Sequence, residues 1–260
     1  MLCLHLMNKY NFWAGGDNVY ISLYNDFSGN LKTKDEIRFY QSLFIRHCKL
    51  IEFGCGTGRV LIPLLKDGYH IDGLDISTGM LEILKKRLRK EKLSAKVFRK
   101  DLCKFKLKSK YDGAILSQRT INFITDADDQ IKALLNISSV LKRGAHLVIN
   151  LMPARPDKFA SIQKTKVKTG QFVNSKTGKK VEFWSSWVPD PIKQLWHMED
   201  EFREGRDKCR VKMEMRAVFL PEFKLMLRLC GFRLVAIYGS WNMHPYGRDS
   251  KDLIVVARKR

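Results

Sequence analysis

The sequence predicts an α/β protein: a doubly wound, mostly parallel sheet of seven strands with an antiparallel β layer inserted after the fifth. Three observations predict it. From Lys49 to Leu151 short apolar runs alternate with amphipathic helical stretches, the pattern of parallel strands joined by crossover helices. After Pro153 the texture changes, and residues 162–219 hold four β-like stretches with no helix-length apolar stripe between them. A helix and two strands beyond Pro221 then return to the first pattern. With 260 residues, 45% of them apolar and 11% aromatic, the chain can bury a core of this size.

Residues 8–32, rich in Tyr, Asn, Gly and Asp, read as an irregular or partly helical leading segment. Thr33-Lys34-Asp35-Glu36 has the form of a capping box and opens a helix with Ile37, Tyr40, Leu43 and Phe44 on one stripe. Strand one spans Lys49 to Phe53. A helix over 58–66 buries Val60, Leu61, Leu64 and Leu65 and stops at Gly68. Strand two follows at 69–75, a helix at 77–92 and strand three at 95–98. Strand four covers 111–117, a helix 126–141 with its stop at Gly144, and strand five 145–151. The inserted strands fall at 163–173, 180–188, 193–203 and 209–219, separated by turns such as Asn174-Ser175-Lys176-Thr177-Gly178. Pro221, a favoured first-turn proline, opens the last helix, which ends at Gly231. Strands at 232–238 and 252–258 close the chain as a hairpin. Two units are expected: a core of residues 1–152 and 220–260, and an insert of 153–219 acting as a substrate lid or a dimer interface.

No apolar run approaches the roughly 18 residues that cross a bilayer. The opening MLCLHLM is too short for a signal-peptide core, so a cytoplasmic location without membrane attachment is expected. The six cysteines are scattered with no C-x-x-C pair, which suits reduced thiols and predicts neither a zinc site nor a disulfide framework. Against 27 acidic residues stand 48 Lys and Arg, a formal charge of +21. That charge attracts polyanions, and residues 85–110 concentrate thirteen of the cations. The tract offers only Phe98 and Phe105 for stacking on bases, both at core-like positions. It reads as a solvated basic face, with nucleic acid as the less favoured partner.

The stretch IEFGCGTGRVLIPLLKDGYHIDGLDIS, residues 51–77, is a strand, a glycine turn, a helix and a second strand, a unit that holds a nucleoside. A dinucleotide fingerprint needs G-x-G-x-x-G, and aligning Gly54 and Gly56 to it puts Arg59 at the third glycine. The glycines run 54, 56 and 58 instead, after Glu52. This E-x-G-x-G-x-G spacing suits a ligand without pyrophosphate whose methionyl chain and ribose need close backbone approach. Asp75, 21 residues after Gly54, ends the second strand where a carboxylate accepts both ribose hydroxyls.

On these residues the chain resembles the class I S-adenosylmethionine-dependent methyltransferases, a Rossmann-like family. LIEFGCGTGRVLIPL with IDGLDISTGML resembles the family's first two motifs, and the likeness continues through DLCKF, YDGAILS and LKRGAHLVIN to LRLCGFRLVAIYG and DLIVVARK. It covers about residues 20–150 and 220–259. The insert is similar in character to a subgroup of small-molecule enzymes that includes amino-sugar N-methyltransferases. The resemblance implies S-adenosylmethionine as cofactor and S-adenosylhomocysteine as product. It further implies Asp101 on the adenine amino group, the Leu102 backbone on a ring nitrogen, Ile76 and Met80 on the adenine faces, and Ser117 beside the methionyl chain. Cys55 and Arg59 belong to the glycine turn, and Tyr20 and Tyr24 close the pocket from the N-terminal side.

The acceptor is less legible, because in-line transfer from a sulfonium asks chiefly for alignment and exclusion of water. No D/N-P-P-Y motif follows strand four, where Ser117-Gln118-Arg119-Thr120 stands, and no Pro-Cys nucleophile does. Arg119 and Asn122 are candidates for the substrate side, with Trp196 from the insert and Trp241 and Tyr246 from the loop before the last strand. Period-2 reading puts Trp196, Met198, Asp200 and Phe202 on one face and His197, Glu199 and Glu201 on the other. His197 is the first candidate for a general base and His244 the second. The expected function is methyl transfer to an N or O atom of a small molecule, by a monomer or homodimer. The alternatives are an RNA or protein methyltransferase using the basic tract, and a non-catalytic S-adenosylmethionine-binding protein.

Overall fold

The computed structural model describes residues 18–29, 31, 33–154 and 163–260. Two helices, α1 (Asn18–Gly29) and α2 (Lys34–Leu43), precede the alternating region. That region runs β1 (Lys49–Phe53), α3 (Leu61–Lys66), β2 (His70–Asp75), α4 (Thr78–Lys90) and β3 (Val97–Arg99). It continues through β4 (Tyr111–Leu116), a 3-10 turn (Thr120–Phe123), α5 (Ala127–Val140) and β5 (Leu141–Leu151). The insert supplies β6 (Gln163–Val173), β7 (Lys180–Asp190), β8 (Leu195–Glu204) and β9 (Asp207–Arg216). Helix α6 (Leu220–Leu229) and strands β10 (Phe232–Tyr238) and β11 (Leu253–Lys259) end the chain.

The seven-stranded sheet has the order β10-β11-β5-β4-β1-β2-β3. Only β11 runs against its neighbours, antiparallel to both β10 and β5. Strand side chains alternate between two cores, as the pleat dictates. Ile51, Phe53, Leu116 and Leu147 face α5 and α6, while Leu50, Ile115 and Val148 face α2, α3 and α4. Connections leave β1 toward β2 on one side and β4 on the other, so a crevice opens outside the carboxyl ends of these strands.

The second sheet, β6-β7-β8-β9, is wholly antiparallel. One end of it shares a core with α1, where Tyr20 and Leu23 pack with Phe172, Phe183 and Phe202. Arg216 ties the other end to the main domain: its guanidinium donates to Gln130 Oε1 at 3.0 Å, Gln194 Oε1 at 2.7 Å and Glu222. Asn122 finishes that seam. Its amide donates to the Arg216 carbonyl at 2.8 Å and accepts from Met152 N at 3.0 Å.

Three local expectations are corrected. Thr33 does not cap α2; it has helical backbone angles and no side-chain bond, because Glu36 is drawn away by Arg59 and by the Tyr40 hydroxyl at 3.1 Å. Helix α3 starts at Leu61 instead of 58, since turns with Gly56 and Gly58 at positive φ occupy the preceding residues. Gly144, at φ +83°, is not a helix stop. Strand β5 begins at Leu141, and residues 142–145 bulge opposite Asp112, between the pairs Tyr111–Leu141 and Gly113–His146.

Candidate nucleoside and acceptor site

Strand β1 ends at Phe53 and the chain turns at once. Gly54, at φ +69°, donates its N–H to the Leu74 carbonyl at 2.7 Å; a Cβ there would lie 2.4 Å from Thr120 Oγ1. Gly56, at φ +50°, has open space where its Cβ would stand and borders the cavity. Gly58, at φ +86°, lies behind the turn, where a Cβ would meet Leu84 at 2.5 Å. The three glycines therefore do different work: the first admits Thr120, the second leaves room for a ligand, and the third packs the turn on α4.

Asp75 borders the same cavity from the end of β2. Its Oδ2 accepts from Gly56 N and its Oδ1 from Ser77 N, both at 2.8 Å. Each carboxylate oxygen keeps a second lone pair for an outside hydroxyl. Burial raises this carboxyl above its ordinary pKa, and the Ser77 and Gly56 N–H groups oppose the rise. Ser77 also caps α4, accepting from Met80 N at 3.3 Å, which places Met80 at the cavity wall. After β3, Asp101 Oδ1 accepts from Cys103 N at 2.8 Å and holds a tight loop in which Asp101, Leu102 and Cys103 all line the cavity.

The cavity has a volume of about 700 Å³. Of the residues expected at a nucleoside site, Tyr24, Gly54, Gly56, Asp75, Ile76, Met80, Asp101 and Leu102 border it. An open cradle at Gly56, an adjoining carboxylate and an apolar slot of Ile76, Met80 and Leu102 fit a ribose-bearing, adenine-bearing ligand. The others stand behind this wall. Glu52 is buried in β1, accepts from Ser117 Oγ at 2.8 Å, and is pushed by burial up to about 8. Cys55 is buried, and burial lifts its thiol well above the ordinary value. Arg59 reaches away from the cavity to clasp Glu36, with Nη2 3.0 Å from Oε1. Burial pulls its pKa down, but the Glu36 carboxylate more than offsets this, so Arg59 clamps the glycine turn to α2.

Tyr20 stacks on Tyr24 with ring centroids 6.1 Å apart. Its hydroxyl is hydrogen-bonded to Asp200, which also accepts from Ser185 Oγ at 2.7 Å and is pushed up to about 6 by burial. Tyr24 turns to the cavity, and burial raises its pKa as well.

On the acceptor side the residues divide again. His197 borders the cavity, its side chain 45% exposed and its Nδ1 3.1 Å from Glu214 Oε1. His244 is exposed on the 239–252 loop and does not line the cavity. Arg119 adopts a left-handed turn at φ +60° outside the lining, and Asn122 is fully buried with its amide bonded to backbone. Trp196 is buried beside Met215 and Ala154. Trp241 packs edge-on against Phe39 and Tyr40, and Tyr246 lies against the main core. None of these four aromatic or amide side chains reaches the cavity, because each fills a seam between elements.

Residues that were not among the site candidates also reach it: Gln118, Thr120, Phe123 and Ile124 after β4, and Trp187, Met198 and Met213 from the insert. Strand pairing explains the last three. Trp187 pairs with Met198, and Met198 with Met213, so they form one rung on the inner face of the second sheet. The basic tract meets the cavity only at Lys100 to Cys103; twelve of its thirteen cations are exposed, and Arg87 donates inward to the Thr57 carbonyl at 2.8 Å. Phe105 is buried in the core and Phe98 packs partly buried against it.

A family model described as a methyltransferase domain matches residues 50–144, the span from β1 into β5. The cypemycin N-terminal methyltransferase of a Streptomyces species is 20% identical over 229 residues, 81% of this chain and 83% of that protein. Among solved structures, the CcbJ methyltransferase of Streptomyces caelestis superposes with a TM-score of 0.81 at 17% identity, covering 97% of this chain and 99% of that one. The sugar N-methyltransferase KedS8 of Streptoalloteichus sp. superposes with a TM-score of 0.72 at 16% identity, covering 100% and 99%.

Proposed function

We propose, from the premise that the domain at residues 50–144 makes this chain a class I S-adenosylmethionine-dependent methyltransferase, that it methylates an N or O atom of a small molecule. The observation that carries the reading is one cavity shared by two walls: Gly56, Asp75 and Asp101 on one side, the insert on the other. S-adenosylmethionine, when bound, supplies a methyl already activated on sulfur. The chain's own residues bind, orient and keep out water. Asp75 holds the ribose hydroxyls through the lone pairs left free by Gly56 and Ser77. Asp101 and the Leu102 backbone hold the adenine edge, with Ile76 and Met80 against its faces. Glu52 and Ser117 brace the floor of the glycine turn, and Tyr24, backed by Tyr20, closes the cavity from α1.

His197, oriented by Glu214, receives the proton that an amine or hydroxyl acceptor loses. Residues 153–219 act as the lid over the acceptor half, and the remainder of the chain as the cofactor core. Cys48, Cys55, Cys103 and Cys230 stand outside any disulfide, which suits a reducing cytoplasm, and among the described residues no helix is long and apolar enough to cross a membrane. Titration of S-adenosylhomocysteine by calorimetry tests the reading. One-to-one binding supports it, and heat no greater than dilution refutes it.

A further inference from the structure

The acceptor half of the cavity carries a chemical signature of its own. Its inner wall is the rung Trp187–Met198–Met213, faced by Phe123 and Ile124 from the segment after β4. These side chains present an indole, two thioethers, a phenyl ring and a branched alkyl group. None carries a carboxylate, amide or hydroxyl.

Several polar groups near this wall already have partners. Thr120 Oγ1 donates to the Ser117 carbonyl at 2.7 Å, and Gln118 is hydrogen-bonded to Tyr24. Glu199 is paired with Lys166, and Glu214 with His197. Ser186, Glu199 and Lys212 border the cavity from the next rung, whose register parity is that of His197 and Glu214 and opposite to that of the apolar wall.

We infer that the methyl acceptor is an amine or hydroxyl compound with an apolar, aromatic or aliphatic body, and not a sugar. This rests on the methyltransferase reading above and narrows its substrate class. A polyhydroxylated ring pressed on this wall would lose hydrogen bonds to water without replacement, whereas an apolar ring gains burial and soft sulfur and aromatic contacts. The acceptor's polar atom then points off this wall, toward the donor half and the Tyr24 and His197 side chains that border the same cavity. Met198 and Met213 are unbranched and adjust to the outline of the bound body, so shape is selected less strictly than polarity.

The test uses the full-length protein saturated with S-adenosylhomocysteine, and two amines as probes: 1-naphthylmethylamine and D-glucosamine. Calorimetry is run on the wild type, Met198→Glu and the milder Met213→Gln. The naphthyl amine is expected to bind the wild type at least about tenfold more tightly than glucosamine, with the preference lost in Met198→Glu and reduced in Met213→Gln. S-adenosylhomocysteine affinity, measured on the same samples, is expected to stay within about twofold, which also shows that the variants fold. Glucosamine binding as tightly as the naphthyl amine, no binding of the naphthyl amine, or a preference surviving both substitutions overturns the inference. If the wild type does not bind S-adenosylhomocysteine, the methyltransferase reading fails first, and the two failures are distinguishable.

Discussion

Asp75→Asn changes one atom of the site and leaves its volume unaltered. In the wild type both carboxylate oxygens accept backbone N–H groups at 2.8 Å, from Gly56 and Ser77. The amide can keep only one of these bonds, because its NH₂ is a donor facing another donor. It also loses one acceptor for the ribose hydroxyls. A hydrogen bond to a charged group contributes about 1.5–3 kcal/mol, so one charge-assisted bond lost with the ligand and a loosened Gly56 together cost about 2–4 kcal/mol of affinity. That corresponds to a Kd for S-adenosylhomocysteine roughly 30- to 1,000-fold weaker. Because burial raises the Asp75 pKa, wild-type affinity should also fall as pH drops through that raised value, and the Asn variant should lack this dependence. Calorimetry at two pH values measures both effects. A variant that binds within about twofold of the wild type at neutral pH would show that Asp75 does not hold the ribose.

Three further predictions concern other parts of the same frame. Glu52, raised to about 8, stabilises the fold most below its unfolded value of 4.5, and that contribution is lost as pH rises toward 8. Glu52→Gln should therefore flatten a pH-dependent decline of a few kcal/mol in urea-unfolding free energy between pH 5 and pH 8, and an unchanged slope would contradict the assignment. Gly58→Ala forces a Cβ to within 2.5 Å of Leu84 at φ +86°, and should cost about 2–4 kcal/mol of stability by the same measurement. A wild-type unfolding midpoint in that variant would mean the turn relaxes freely. His197→Gln should lower kcat about 100-fold while leaving S-adenosylhomocysteine affinity intact. Full activity would assign the proton to water.

What the sequence discloses of this fold follows from the range of the interactions involved. Glycines at positive φ, a carboxylate at a strand end and the period of apolar residues are local signals, so Gly54, Gly56, Asp75 and the four inserted strands are legible from the chain alone. Pairings across long separations are not. Thr33 and Glu36 have the local form of a capping box, but Arg59, 23 residues away, outbids the helix end for the carboxylate. Asn122 reads as a polar residue available to a substrate until the fold seats it on the carbonyl of Arg216, 94 residues away. Trp241 likewise suggests an aromatic wall around an amine, while the hydrophobic face of α2 claims it instead. The acceptor wall lies in the same category. Met213 carries no signal of its own, and it joins Met198 and Trp187 only through the register of three strands.

The most direct test of the central claim is transfer of the methyl group itself. The purified full-length chain is incubated with a metabolite extract and S-adenosylmethionine bearing a trideuterated methyl, and the products are separated and weighed by mass spectrometry. The account predicts S-adenosylhomocysteine together with a small molecule heavier by one labelled methyl, both absent with Asp75→Asn. Label recovered only in RNA or protein, or no labelled product beside intact donor, would contradict it.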